Sequence, residues 1–164
     1  MQASAPAAAA PLLGALAAAP RDLEAQAVEY ARLFLHGRDH EPVHLFESVQ
    51  ARGHHLAPDI LERLKGIYDG ADLSLQDGLT VPPDHLGLEL ACLGYLLAEV
   101  HQGDLARRAA HAALAQRLIQ DHLAPFVAAV RTHLPLLAPT PAYAAAASLA
   151  SLLLADSLKA LAEF

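Results

Sequence analysis

Apolar residues recur along this chain at helical intervals, broken by clusters of Gly, Pro and His. Leu23, Ala27, Tyr30 and Phe34 keep a spacing of three to four, so one helix is expected from Asp22, a favourable cap, to about Phe34 or Leu35, with Gly37 as its stop. Ile60, Leu61, Leu64 and Ile67 predict a short helix over 58–68, ending near Gly70. The clearest pattern is Leu86, Leu90, Leu93, Leu97 and Val100, a seam for packing against other helices, with Asp84 as the expected cap. After the break at His101-Gln102-Gly103, Asp104 opens a long helix to about Leu134, with Pro125 inside it as a kink or a split. Residues 135–141 read as a linker and Ala142–Leu161 as the last helix.

Between these elements lie an irregular segment at 37–57, broken by Gly37, Pro42 and Gly53, and an acidic loop at 70–83. Residues 1–20 form an Ala/Pro-rich lead with room for a short helix at Leu12–Ala19, and 21–164 form the helical domain. There is no internal repeat and no sign of a second domain. The expectation is an all-α, single-domain bundle of about five or six helices with one irregular His-rich segment.

Composition supports this class. Hydrophobic residues make up 54% of the 164, chiefly Ala and Leu, whereas Trp is absent and aromatics are 5%. Helix formers abound and strand formers are sparse. A net charge of −7 argues against nucleic acid, which demands a basic surface, and leaves room for a cationic partner. Cys92 is the single cysteine, so no internal disulfide and no Cys-rich metal site can form; inside an apolar helical run it reads as a small core residue. The lead lacks Lys or Arg before its apolar part and carries Pro6 and Pro11, unlike a secretory signal. The apolar run 142–155 is shorter than the ~20 residues that span a bilayer, so a buried last helix and no stable membrane insertion are expected.

Candidate chemistry is sparse. His36, His40 and His44 are spaced by four, but Gly37 and Pro42 interrupt any shared helix face, so a solvated His-rich loop is the default over a metal site. His111, His122 and His133 recur every eleven residues, ~16 Å apart along a helix, too far to share one ion; surface or interface histidines are expected. No Gly-rich phosphate loop occurs, and Ser48 lacks the flanking glycines of a nucleophile elbow. Asp84, His85 and Glu89 could form an acid–base set, but no nucleophile or oxyanion partner accompanies them. Residues 59–89 carry seven acids (Asp59, Glu62, Asp69, Asp72, Asp77, Asp84, Glu89) against Arg63 and Lys65. Each reads singly as solvated; together they could receive an arginine-bearing peptide.

Three segments carry a family resemblance. Glu29-Tyr30-Ala31-Arg32-Leu33-Phe34 is followed by Glu47-Ser48-Val49; then comes Pro83-Asp84-His85-Leu86 with Glu89-Leu90; then Leu118-Ile119 with His122-Leu123-Ala124-Pro125-Phe126. Their order and spacing resemble the TorD/DmsD-type, NarJ-related maturation chaperones of bacterial molybdoenzymes. The resemblance implies an all-helical cytoplasmic protein with no catalysis and no bound cofactor. It implies partners too: the twin-arginine leader and the apo catalytic subunit of a molybdopterin oxidoreductase, held back from export until its cofactor is inserted. It places Asp84 and His85 in leader recognition, with Pro83, Leu86, Glu89, Tyr30, Phe34, Glu47 and Ser48 as further client-binding positions. Helix exchange within a homodimer is compatible with the linkers near Gly103 and 135–141. The competing readings are a non-catalytic helical adaptor, in which Asp84 is only a cap, and a His-rich metal carrier.

Overall fold

A computed structural model describes residues 9–18, 22–36, 41–74, 81–137 and 141–164. The Gly37 stop, His40, Asp77, and parts of the lead and of the 135–141 linker lie outside the described residues. The chain is all-α, and among the described residues there is no strand, only an isolated antiparallel bridge between Phe46 and His85.

Among the described residues eight α-helical segments follow one another: α1 (Ala10–Ala17), α2 (Leu23–Tyr30), α3 (Glu47–Arg52), α4 (Pro58–Gly70), α5 (Leu86–Gln102), α6 (Leu105–Arg117), α7 (Ala124–Leu137) and α8 (Pro141–Leu161). Two are extended by π turns. Ala31–Leu35 prolongs α2, and Leu118–Leu123 joins α6 to α7 without a break. Proline explains the second. Pro125 has no N–H, and its ring would clash with the carbonyl four residues back, so the turn before it widens and the helix continues. The expected kink or split is therefore a π segment. Pro135 likewise falls within α7, which runs to Leu137 rather than ending at 134.

Caps agree with the sequence at two helices. Asp22 Oδ1 accepts from the Glu24 N–H at 3.0 Å, and Asp104 Oδ1 from the Ala106 N–H at 2.9 Å. At α5 the expectation fails: the cap is His85, whose Nδ1 accepts from the Gly87 N–H at 3.0 Å, and Asp84 serves elsewhere. Helix α3 is an element the periodicity did not predict. It has six residues and ends at Gly53, whose φ of 73° is left-handed. Gly103, the break after α5, packs so closely that a Cβ would lie 2.5 Å from the Glu99 carbonyl oxygen.

Contacts divide the chain into two compact units: Met1–His44 with Val127–Leu153, and Leu45–Phe126 with Leu154–Phe164. In the first, Leu33, Val43, Val127, Val130 and Leu134 are buried, and the Val43 N–H donates to the Leu33 carbonyl at 2.8 Å. Leu23, Val28 and Leu35 are exposed on α2 and its π extension.

In the second unit, Ile60, Leu64 and Ile67 of α4 are buried, as are Cys92, Leu93, Leu96 and Val100 of α5. Ala112, Ala115, Leu118, Ile119 and Leu123 complete its core from α6 and the π segment. The buried seam of α5 is rotated from the one predicted. It contains Glu89, while Leu90 is exposed.

The last helix is less buried than expected. Ala145, Ala147, Leu154 and Leu161 are buried, but Leu153 is exposed. Its Ala142–Leu161 stretch, with mean hydropathy 1.4 and 22% buried, is long and apolar enough to cross a membrane by length and composition.

Candidate functional site

The second unit buries a group of polar side chains around the start of α3. Phe46 occupies the cap position of this helix but has no side-chain acceptor to offer its first amides. Asp84 supplies both acceptors from the far end of the next loop. Its carbonyl accepts from the Glu47 N–H at 2.9 Å, and its Oδ2 accepts from the Ser48 N–H at 3.0 Å. The Leu86 N–H donates back to the Leu45 carbonyl at 3.0 Å, so the Phe46–His85 bridge is bracketed on both sides. Asp84 is thus a helix cap, but of a helix 36 residues away in sequence.

The side chains of α3 extend the arrangement. Glu47 Oε2 accepts from His122 Nδ1 at 2.8 Å, both groups being buried. Toward an ionised Glu47, which can only accept, His122 donates through Nδ1. Ser48 Oγ accepts from the Ala57 N–H at 3.0 Å, holding the loop that leads into α4. Tyr68, on α4, donates its hydroxyl to the Pro83 carbonyl at 2.7 Å and so ties down the proline pair. The Phe46 ring packs edge-on against His55 and His85, with centroids 5.1 Å and 5.2 Å away.

Glu89 completes the group from α5. It is 0% exposed, and among the described residues neither carboxyl oxygen has a hydrogen-bond partner; Oδ1 of Asp84 is likewise buried and without one. Burial, and next the negative charges of Glu47 and Asp84, push the Glu89 carboxyl up to about 9. It is therefore neutral at pH 7. Burial, with Glu89 next, pushes the Cys92 thiol up to about 12, which keeps it protonated at pH 7. Burial also raises the Tyr68 hydroxyl far above its usual range. His85 moves the other way: its burial disfavours the cation and lowers its pKa, with Asp84 opposing, so a neutral ring caps α5.

Of the residues singled out from the sequence, Pro83, Asp84, His85, Leu86, Glu47, Ser48 and Glu89 all lie in this unit, and Asp84 touches the Glu47-Ser48 segment directly. Asp84 is 1% exposed and lies beneath the surface. Tyr30 and Phe34 belong to the first unit, where their rings lie 5.0 Å apart and Phe34 meets Tyr143 edge-on at 5.3 Å. Several of the acids at 59–89 have basic partners of their own. Arg52 bonds Asp59 at 2.7 Å, Arg107 bonds Asp72 at 2.6 Å, and Lys65 bonds Asp69.

The sequence reading missed two features. His111 and His122 are buried rather than on the surface, and only His133 of that series is exposed. The signal for His122 was its position among apolar neighbours, Leu118, Ile119 and Leu123. The second is an apolar cavity of about 190 Å³ lined by Tyr68, Leu73, Ser74, Leu88, Ala91, Cys92 and Tyr95. The spacing of Leu88, Ala91, Cys92 and Tyr95 on one face of α5 is its trace in the sequence. Among the described residues, no group of three or more His, Cys, Asp or Glu side chains is placed to hold a metal ion.

No curated protein and no solved structure matches the chain. One protein family does, that of the nitrate reductase delta subunit, over residues 1–131. The match takes in α1 to α6 and the segments joined by Asp84. The chain belongs to the nitrate reductase delta subunit family, whose members are maturation chaperones of molybdoenzymes.

Proposed function

We propose that this protein is a cytoplasmic chaperone for the catalytic subunit of a molybdopterin oxidoreductase. It binds the twin-arginine leader, the apo subunit, or both, and delays export until the cofactor is inserted. The observation that carries this reading is the family match over residues 1–131. The Ser48–Asp84 hydrogen bond supports it, because it joins two of the three segments on which the resemblance rests. Charge is complementary as well: a chain whose formal net charge is −7 attracts the basic end of a leader, and the α4–α5 cavity has the apolar lining that its hydrophobic part requires.

Affinity capture from cells that make such an enzyme tests the reading. Tagged wild type is expected to enrich one molybdopterin-containing subunit. An Asp84→Asn, His85→Ala variant of equal helicity is expected to enrich it less. No such subunit in the wild-type sample would remove the chaperone assignment for those cells.

The burial of Asp84 favours a second reading, a helical adaptor in which this residue only holds α3 in place. On that reading Asp84→Ala lowers stability and leaves partner capture per folded molecule unchanged.

A further inference from the structure

The only buried side chains of α3 are Glu47 and Ser48, both polar. Its apolar Val49 is only half-buried, so the helix buries less apolar surface than most docked helices, the term that makes them hard to detach. Hydrogen bonds tie it down: the Glu47 and Ser48 amides to Asp84, His122 to the Glu47 carboxylate, the Ala57 amide to Ser48 Oγ and, at its exposed end, Arg52 to Asp59. Among the described residues, Oδ1 of Asp84 and both oxygens of the Glu89 carboxyl are buried without a hydrogen-bond partner, and Glu89 lies close enough to feel the charges of Glu47 and Asp84. Buried polar atoms without partners are costly and mark a place where a ligand can improve the structure.

We propose that α3 is a latch, opening locally to uncover the Asp84 and Glu89 carboxyl groups for a guanidinium or ammonium group of a bound chain. This rests on the client reading above and adds its regulation: the acids are withheld until α3 lifts. A guanidinium donates to several carboxyl oxygens at once, and once α3 lifts, hydration and the cation together favour the ionised form of Glu89 that burial suppresses. The polar attachment sets how often the site is available. Apparent affinity falls by the fraction of molecules in the open state, so loosening the latch strengthens binding.

Ser48→Ala is the test, because it removes one latch bond and leaves every acid in place. Two readouts on the full chain decide it. The first needs no partner: hydrogen exchange of the Glu47, Ser48 and Ala57 amides, with carbodiimide labelling of Asp84 and Glu89 by a small amine. These amides are expected to exchange through a local opening while those of Leu93, Leu96 and Leu118 stay protected. Ser48→Ala is expected to raise both the opening and the labelling about tenfold, the equivalent of one hydrogen bond. Exchange and labelling only through global unfolding would overturn the latch.

The second readout is the affinity for a synthetic peptide with two adjacent arginines before an apolar segment. It is expected to be several-fold tighter in Ser48→Ala, and weaker in an Asp84→Asn variant shown by hydrogen exchange to retain α3. Equal affinity in wild type and Ser48→Ala would overturn the role of α3 as a gate. Local opening together with failure to capture any molybdoenzyme subunit would overturn the client assignment and leave the latch standing.

Discussion

Asp84 Oδ2 accepts the backbone N–H of Ser48 at 3.0 Å, joining two segments 36 residues apart. This bond gives Asp84 a structural duty at α3, while the helix that begins beside it, α5, is capped by His85. Substitutions at these neighbours therefore report on different helices.

Asp84→Ala is expected to lower stability by about 1–3 kcal/mol, because the Ser48 amide is then buried with no acceptor. Asp84→Asn retains an oxygen at the same place and should lose less. Urea unfolding followed by circular dichroism measures both. Exchange at the Glu47 and Ser48 amides should rise in Asp84→Ala while that at Gly87 does not.

His85→Ala is expected to cost about 1 kcal/mol and His85→Asn much less, since asparagine is itself a strong cap. The cap needs a neutral ring, because Nδ1 must accept. Burial lowers the folded pKa of His85 below its ordinary 6.5, so its contribution is complete above that value and is lost as the pH falls through the folded pKa. The gap in unfolding midpoint between wild type and His85→Asn should therefore shift in favour of the asparagine variant at about pH 5, compared with about pH 7.5.

Glu89 predicts the opposite slope. Its folded pKa of about 9 lies above the ordinary 4.5, so the folded protein keeps a proton that the unfolded chain releases. The stability linked to it is complete below 4.5 and is lost progressively as the pH rises to about 9. Glu89→Gln removes this dependence. Relative to wild type it should gain stability between about pH 5 and about pH 8, by a few kcal/mol at most, read from unfolding midpoints across that range.

His122→Ala leaves the Glu47 carboxylate buried without its partner, and is expected to cost about 3 kcal/mol. Replacing both residues by leucine should recover a large part of the loss, because no charge is then left buried. A double-mutant cycle on unfolding free energies separates the pair from the packing of each side chain.

Much of the fold is legible because its signals are local. The caps at Asp22 and Asp104, the break at Gly103 and the start at Pro58 all lie within a few residues of the helices they shape. The candidate site was legible as a set of segments and not as an arrangement. Pro83-Asp84-His85-Leu86 and Glu47-Ser48 stand out as residues, yet nothing in their spacing says that one caps the other. His122 was hidden for the same reason, its carboxylate partner lying 75 residues away.

By itself, then, the sequence determined an all-α chain, the approximate reach of its longer helices and an acidic balance, since helix periodicity, capping chemistry and net charge are properties of neighbours or of sums. The tertiary structure decided the rest. It turned the seam of α5 so that Glu89 is buried and Leu90 exposed, a rotation that a helix rich in leucine on several faces leaves undetermined. It accommodated Pro125 by a π turn whose Leu118, Ile119 and Leu123 are packed into the core. It also kept the Glu89 carboxyl neutral, because desolvation and the charges of Glu47 and Asp84 act only once residues from three segments share one buried space.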